Sequence, residues 1–218
     1  MNSPCRPEPS HDSGSCRRAL QNRVTPFGEI LALPGRGTMM GNRGILHDDE
    51  RRIVRLWQVK RWIACVLEFR GRRRQVMTPH RYTELFFLDE AAAFAAGHRP
   101  CRECRYADYR RFQSFWKDCH GEPIDADSID RRLHCERLDG RGKRTYCAEI
   151  ATLPDGTYVA DGSQARLVWG GYLYAWSDSG YTRRQPRPLR GDFTVLTPPA
   201  IVRVLAGGYR PLLHATAP

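Results

Sequence analysis

The chain has 218 residues, 41% of them hydrophobic and 27% charged, with a net charge of +11 from 35 basic and 24 acidic side chains. That length and composition suit a chain that buries its own core, as one domain with tails or as two small ones. No apolar run approaches the ~20 residues of a membrane-spanning helix, and no signal-peptide core opens the chain, so the expectation is a cytoplasmic protein with no membrane partner.

The basic excess is uneven. Residues 43–118 carry 17 basic and 10 acidic side chains, a net +7, whereas residues 119–165 are net −3. Such a field attracts polyanions, nucleic acid first. Only three of the 35 basic residues are lysines (Lys60, Lys117 and Lys143), a bias that a GC-rich coding sequence also produces.

Residues 1–25 are polar, rich in Ser, Pro and Arg, and read as a disordered tail. The stretch from Pro26 to Asp49 holds Gly35, Gly37, Gly41 and Gly44 and reads as a mobile or tightly turning loop. His47 beside Asp48 and Asp49 is either a metal or acid–base group or a solvated turn. Trp62 to Phe69 alternates as a strand, Arg70-Gly71-Arg72 turns, and Gln75 to Met77 returns as a second strand. Arg70, Arg72, Arg73 and Arg74 would then crowd the hairpin tip, a guanidinium cluster suited to phosphate. An ordinary charged turn reads equally well.

Phe86 to Arg105 reads FFLDEAAAFAAGHRPCRECR. Asp89 and Glu90 open a short helix, where acidic groups suit the positive end of its dipole, and Gly97 closes it. Cys101 and Cys104 follow, the one pair with tight ligand spacing among eight cysteines. Without a secretory signal, thiols or metal ligands are favoured over disulfides. Two thiolates at this spacing suit tetrahedral zinc, which needs two more ligands. Arg99, Arg102 and Arg105 would favour the thiolate and also offer contacts to nucleic acid. A thioredoxin-like redox site ranks lower, because a helix and a glycine precede the pair instead of a strand.

Tyr106 to Cys119 forms a second helix with an apolar stripe that fits a core. Ile129 to Leu138 forms a third, carrying His134 and Glu136, and Asp139-Gly140 turns. From Pro154 short strands follow at 157–160, 166–169, 172–176 and 193–196, with Gly170-Gly171 as a hairpin turn. Thr197 would cap a last helix that starts with prolines and ends at Gly207. Two stretches echo each other faintly, VMTP…AAGHRP at 76–100 and VLTP…AGGYRP at 195–211.

The 86–105 segment resembles the second half of the metal-binding domain of the Ada-type DNA alkylation-response family. A similar segment ends zinc modules appended to some bacterial nucleases. Phe86, Phe87, Ala95, Ala96, Gly97, Arg99, Pro100, Cys101 and Cys104 stand in matching places, with His98 where the family has Phe. The resemblance covers roughly twenty residues and implies a zinc site in a DNA-binding context. The family's first ligand pair falls near Arg70 and Arg74 here, neither of them a ligand, so methyl transfer is not expected. Cys65 and His80 flank the hairpin and are the favoured completing ligands, ahead of His47 or Cys119 with His120.

The expected fold is α+β: an N-terminal hairpin-and-helix unit over 26–125, and a helix with a small antiparallel sheet and terminal helix over 126–218, with one core shared between them an open alternative. The leading functional expectation is a nucleic-acid-binding protein with a zinc-site-like domain. A metal-dependent hydrolase or nuclease would draw on His47, Asp48, His80, His134 and Glu136. A protein-interaction module would expose Trp169, Tyr172, Tyr174, Trp176 and Tyr181.

Overall fold

In the computed structural model, residues 19–72, 75–122, 124–140 and 142–217 are described. The fold is α+β. The first sheet contains β1 (Gln21–Val24), β2 (Ile30–Ala32), β3 (Met39–Asn42), β4 (Ile63–Cys65), β5 (Leu85–Phe87) and β6 (Arg99–Pro100), in the order β2-β1-β5-β3-β4-β6. It is mixed, with β1 parallel to β5 and β4 parallel to β6. A two-stranded ribbon of β7 (Leu138–Asp139) and β8 (Gly142–Lys143) follows the helices. The second large sheet is antiparallel throughout, in the order β13-β12-β11-β10-β14-β9, from β9 (Tyr146–Glu149), β10 (Tyr158–Asp161), β11 (Gln164–Trp169), β12 (Tyr172–Ser177), β13 (Gly180–Pro186) and β14 (Asp192–Val195).

The Ala-rich helix α1 (Glu90–Ala95) lies between the two halves of the chain, and every one of its residues is buried. Alanine suits such a helix, since it brings high propensity and little bulk to a position enclosed on all sides. Asp89 caps it by accepting from the Ala92 amide at 2.9 Å. The same carboxylate accepts from the Tyr181 hydroxyl at 2.6 Å and the His214 amide at 3.0 Å. Glu90 accepts from Tyr209 at 3.0 Å and the Leu212 amide at 2.8 Å. The two acids that open the helix therefore also fasten the C-terminal segment to it.

One apolar cluster joins Val24, Met39, Leu85 and Phe87 of the first sheet, the α1 alanines, and Tyr158, Leu167 and Tyr174 of the second. Both large sheets thus face a common core. Alternate residues of the second sheet (Val159, Val168 and Leu173) point the other way into a separate cluster with Ile150 and Leu153. Helices α2 (Tyr106–His120), α3 (Ala126–Arg137) and α4 (Pro199–Ala206) pack with Phe94 through Phe112, Trp116, Leu133, Ile201 and Tyr209. No helix among the described residues is long and apolar enough to cross a membrane.

Several local expectations are corrected. Residues 21–24, read as part of a disordered tail, form β1, with Asn22 and Val24 buried. The glycine-rich stretch contains β3, the strand between β5 and β4. Its glycines serve close approach: a Cβ on Gly41 would lie 2.3 Å from the Ile63 carbonyl oxygen, and one on Gly37 would lie 1.9 Å from that of Phe87. The 62–77 hairpin does not form. The β4 strand is only three residues long, and its two neighbours are β3 and β6, so no edge is left for a returning strand. Thr197 does not cap α4; its hydroxyl accepts from the Tyr158 amide at 2.9 Å and Pro198 stands at the helix start.

The sequence echo has a local cause at its second half. After α1, the amide of Gly97 donates to Phe94 and that of His98 to Ala93; after α4, Gly208 donates to Leu205 and Tyr209 to Val204. Both helices end in the same glycine-assisted double hydrogen bond, with Gly97 and Gly208 at positive φ.

Candidate metal centre

The pairing of β4 with β6 sets the site. Ile63 is opposite Arg99 and Ala64 opposite Pro100, and the Cys101 amide continues the ladder to the Ala64 carbonyl at 2.9 Å. Cys65 and Cys101 therefore leave adjacent parallel strands side by side. A tight turn then returns Cys104 just before α2 begins. The sulfurs of Cys65, Cys101 and Cys104 all lie within 4.8 Å of one another, close enough for the three to hold one metal ion. The group is the one such cluster of three or more Cys, His, Asp or Glu among the described residues. Cys65 and Cys101 are buried, and Cys104 is half-buried.

Hydrogen bonding within the cluster favours one thiolate. The Cys101 thiol is held far below its usual range, first by the Cys104 and Cys65 thiols and then by the amides of Cys104 and Glu103. The Glu103 amide lies 3.4 Å from its sulfur. The Cys65 thiol is pushed up, because it donates to Cys101 and Cys104 and is buried. Cys104 is raised, mainly by its bond to Cys101, while the Val66 amide acts in the opposite direction. Three converging sulfurs with amide donors make a soft donor set, of the kind that binds thiophilic metals. The cluster borders an open cavity of about 540 Å³ whose wall includes Phe69, Arg72, Glu84 and Glu103.

The expected arginine effect on the thiols is not the cause of these shifts. Arg99 is buried and forms a two-pronged pair with Asp130 of α3, at 2.9 and 2.7 Å. Arg105 is buried and pairs with Glu90 and Asp108, each at 2.8 Å. Both were expected to offer nucleic-acid contacts. Instead, each is consumed by a carboxylate inside the protein, since a buried guanidinium needs a counter-charge. Arg102 is exposed. Arg70 and Arg72 are exposed and lie over the Phe69 ring, at 4.9 and 5.4 Å, with Arg72 paired to Glu103 at 3.0 Å. Arg73 and Arg74 fall outside the described residues.

His80 is not part of the cysteine cluster; its ring is exposed and lies 3.7 Å from Asp49. The lost hairpin explains this, because nothing folds residue 80 back against β4. His47 is buried against the Thr83 hydroxyl at 2.6 Å and the Thr78 carbonyl at 3.2 Å. Cys119 and His120 contact the Arg203 and Ala200 carbonyls and join α2 to α4. His134 meets Arg137 at 3.1 Å, while Glu136 accepts from the Ala200 amide at 2.7 Å. These groups have separate structural partners and do not gather into a catalytic set. Of the five C-terminal aromatics, Tyr174 and Tyr181 are buried, while Trp169, Tyr172 and Trp176 are partly buried against the same core.

The strand β6 entering Cys101 was not foreseen, because two residues carry no periodicity. His98 is fully buried against Phe87 at 4.5 Å and Trp62 at 5.2 Å, an aromatic filler that burial keeps neutral. Comparison with known proteins finds no matching family model, no matching curated protein and no matching solved structure.

Proposed function

We propose that the protein is a zinc protein that contacts nucleic acid. Cys65, Cys101 and Cys104 are the zinc ligands in this reading, and the exposed arginines near them meet phosphate. The convergence of three sulfurs from two distant parts of the chain carries the zinc half. Thiolate donors suit zinc, which takes sulfur ligands in tetrahedral sites. When bound, zinc would crosslink β4 to the Cys101–Cys104 turn. The resemblance of the 86–105 segment to the Ada-type metal domain supports the same reading.

The nucleic-acid half is supported by the net +7 of residues 43–118 and by exposed Arg70, Arg72 and Arg102. Phosphate contacts release counterions, so affinity should fall linearly with the logarithm of salt. Fluorescence anisotropy with a labelled oligonucleotide across salt concentrations tests this half. Replacing Arg70 or Arg102 by Ala should reduce the salt slope by about one each. Absence of binding at low salt removes the nucleic-acid half and leaves the zinc half standing. The zinc half is tested by competition against a chromophoric chelator in wild type and in Cys101→Ser and Cys104→Ser.

A second reading is favoured by one observation: three protein ligands beside an open cavity resemble sites that keep a position for substrate. In that reading the protein is a metal-dependent hydrolase of nucleic acid, with Glu84 or Glu103 on the cavity wall holding the proton. Metal-dependent cleavage of an oligonucleotide, lost in Glu84→Gln or Glu103→Gln with zinc affinity retained, would establish it.

A further inference from the structure

A second constellation shares no residue with the cysteine site. Arg43, Arg137 and Lys143 line a cavity of about 330 Å³ together with Trp62, Phe27 and Leu56. Arg43 is 2% exposed and Arg137 is 1% exposed. Both guanidiniums lie over the Trp62 ring, 4.1 Å and 3.8 Å from its centre. Lys143 is half-buried. No carboxylate forms an ion pair with any of the three among the described residues. The one acidic side chain on the cavity wall is exposed Glu29, which meets the Thr25 hydroxyl at 3.4 Å.

Three cations clustered without an ion-paired carboxylate are costly, because each is desolvated; Asp130, the carboxylate that acts on Arg137, is itself bonded to Arg99. Part of that cost is offset by the C-terminal end of α1. Arg137 donates to the Gly97 carbonyl at 2.8 Å and Lys143 donates to that of Ala95 at 2.5 Å, where the helix dipole favours positive charge. Arg137 also donates to Lys60. Arg43 donates to the Gly28 carbonyl at 3.2 Å and approaches His98 at 3.5 Å. Two donors are still without a partner: Nη2 of Arg43 and Nε of Arg137. Buried polar groups are nearly always satisfied, and these two nitrogens, enclosed on residues that line the cavity, lack an acceptor. Burial also lowers the affinity of all three groups for their protons, with like charges adding to the effect for Arg137 and Lys143 and Asp130 opposing it for Arg137.

We propose that this cavity binds a small organic anion, with its carboxylate or phosphate head against Arg43, Arg137 and Lys143 and its apolar body against Phe27, Leu56 and Trp62. A guanidinium fork matches either head group in two-pronged fashion. The aromatic and aliphatic walls exclude a bare inorganic ion as the best ligand, and the volume is in the range of small-molecule pockets.

The test is calorimetric titration of the full chain with benzoate and with phenyl phosphate, alongside benzyl alcohol as the neutral body and inorganic phosphate as the bare head. One of the two organic anions should saturate one site per chain with a Kd of about 0.1–1 mM. Arg43→Gln and Lys143→Gln should each weaken it about tenfold. The benzoate and phenyl phosphate arms distinguish a carboxylate from a phosphate ligand. Lys143→Gln alters a half-buried side chain and keeps the test open if Arg43→Gln does not fold. No saturation by either anion up to about 10 mM overturns the proposal. So does benzyl alcohol binding as tightly as benzoate, or wild-type affinity in Lys143→Gln.

Discussion

The amide of Cys101 donates to the carbonyl of Ala64 at 2.9 Å, and this one bond places Cys101 beside Cys65. A parallel strand pair 36 residues apart in sequence, rather than a local hairpin, assembles the sulfur cluster. Zinc affinity should therefore depend on Cys65 as strongly as on the Cys101–Cys104 pair. Cys65→Ser should weaken zinc binding on the order of a hundredfold, whereas His80→Ala should leave it unchanged. Chelator competition on the two variants reads both; a loss in His80→Ala would contradict the assignment.

The buried arginines should behave as structural groups. Removing one partner of a buried pair leaves the other charge uncompensated and costs about 3–5 kcal/mol. Arg99→Met strands Asp130, and Arg105→Met strands Glu90, in surroundings that are almost fully enclosed. Urea unfolding should show losses of that size for both. Unchanged stability with weakened oligonucleotide binding would instead return these residues to the phosphate-contact role.

Gly41→Ala should be among the most damaging small substitutions. Its Cβ would lie 2.3 Å from the Ile63 carbonyl oxygen and 2.9 Å from the Phe87 ring. Backbone on the neighbouring strand cannot yield as a flexible side chain can, so a loss of about 3 kcal/mol or more is expected. Thermal unfolding of Gly41→Ala, with Gly71→Ala as a comparison where nothing lies within 4 Å, checks the mechanism. Gly71 sits at φ 66, so its replacement should cost about 1 kcal/mol through backbone strain alone.

Stability should rise with pH through a lysine. Burial pushes Lys143 down to about 7, and Arg43 and Arg137 act in the same direction. The unfolded lysine keeps its proton to about pH 10.4. Between these values the unfolded chain binds more protons, so folding stability gains with rising pH, and the gain is lost as pH falls through about 7. The slope for one group is at most about 1.4 kcal/mol per pH unit, and smaller here because the side chain is partly exposed. Burial lowers Arg43 and Arg137 only to about 9, so the guanidiniums stay charged over most of this range, and Glu29 on the same cavity wall is exposed to solvent. Urea midpoints from about pH 6 to about pH 9 should climb in wild type and flatten in Lys143→Met; equal slopes would contradict the assignment.

The parts legible in sequence were those governed by neighbours in the chain. The α1 segment, its acidic start and Gly97 stop, the Gly170-Gly171 hairpin and α4 all follow from local propensity and turn chemistry. Distant pairing was not legible. Nothing near Cys65 shows that β6 will lie beside it, although Cys65 as a candidate ligand followed from its place next to the expected hairpin, which does not form. Nothing near Arg99 or Arg105 shows that Asp130 and Glu90 will claim them, so their charges read as available. The β3 strand hid among glycines because close backbone approach, which those glycines permit, leaves no hydrophobic period. The cationic cavity was invisible for the same reason, since Arg43, Arg137 and Lys143 meet only after both halves of the chain have folded.

X-ray absorption at the zinc edge of the zinc-loaded full chain tests the central claim most directly. The account predicts one zinc per chain with three sulfurs at about 2.3 Å and one lighter atom completing the shell. Failure to retain zinc, or a shell dominated by nitrogen and oxygen at about 2.0 Å, would contradict it.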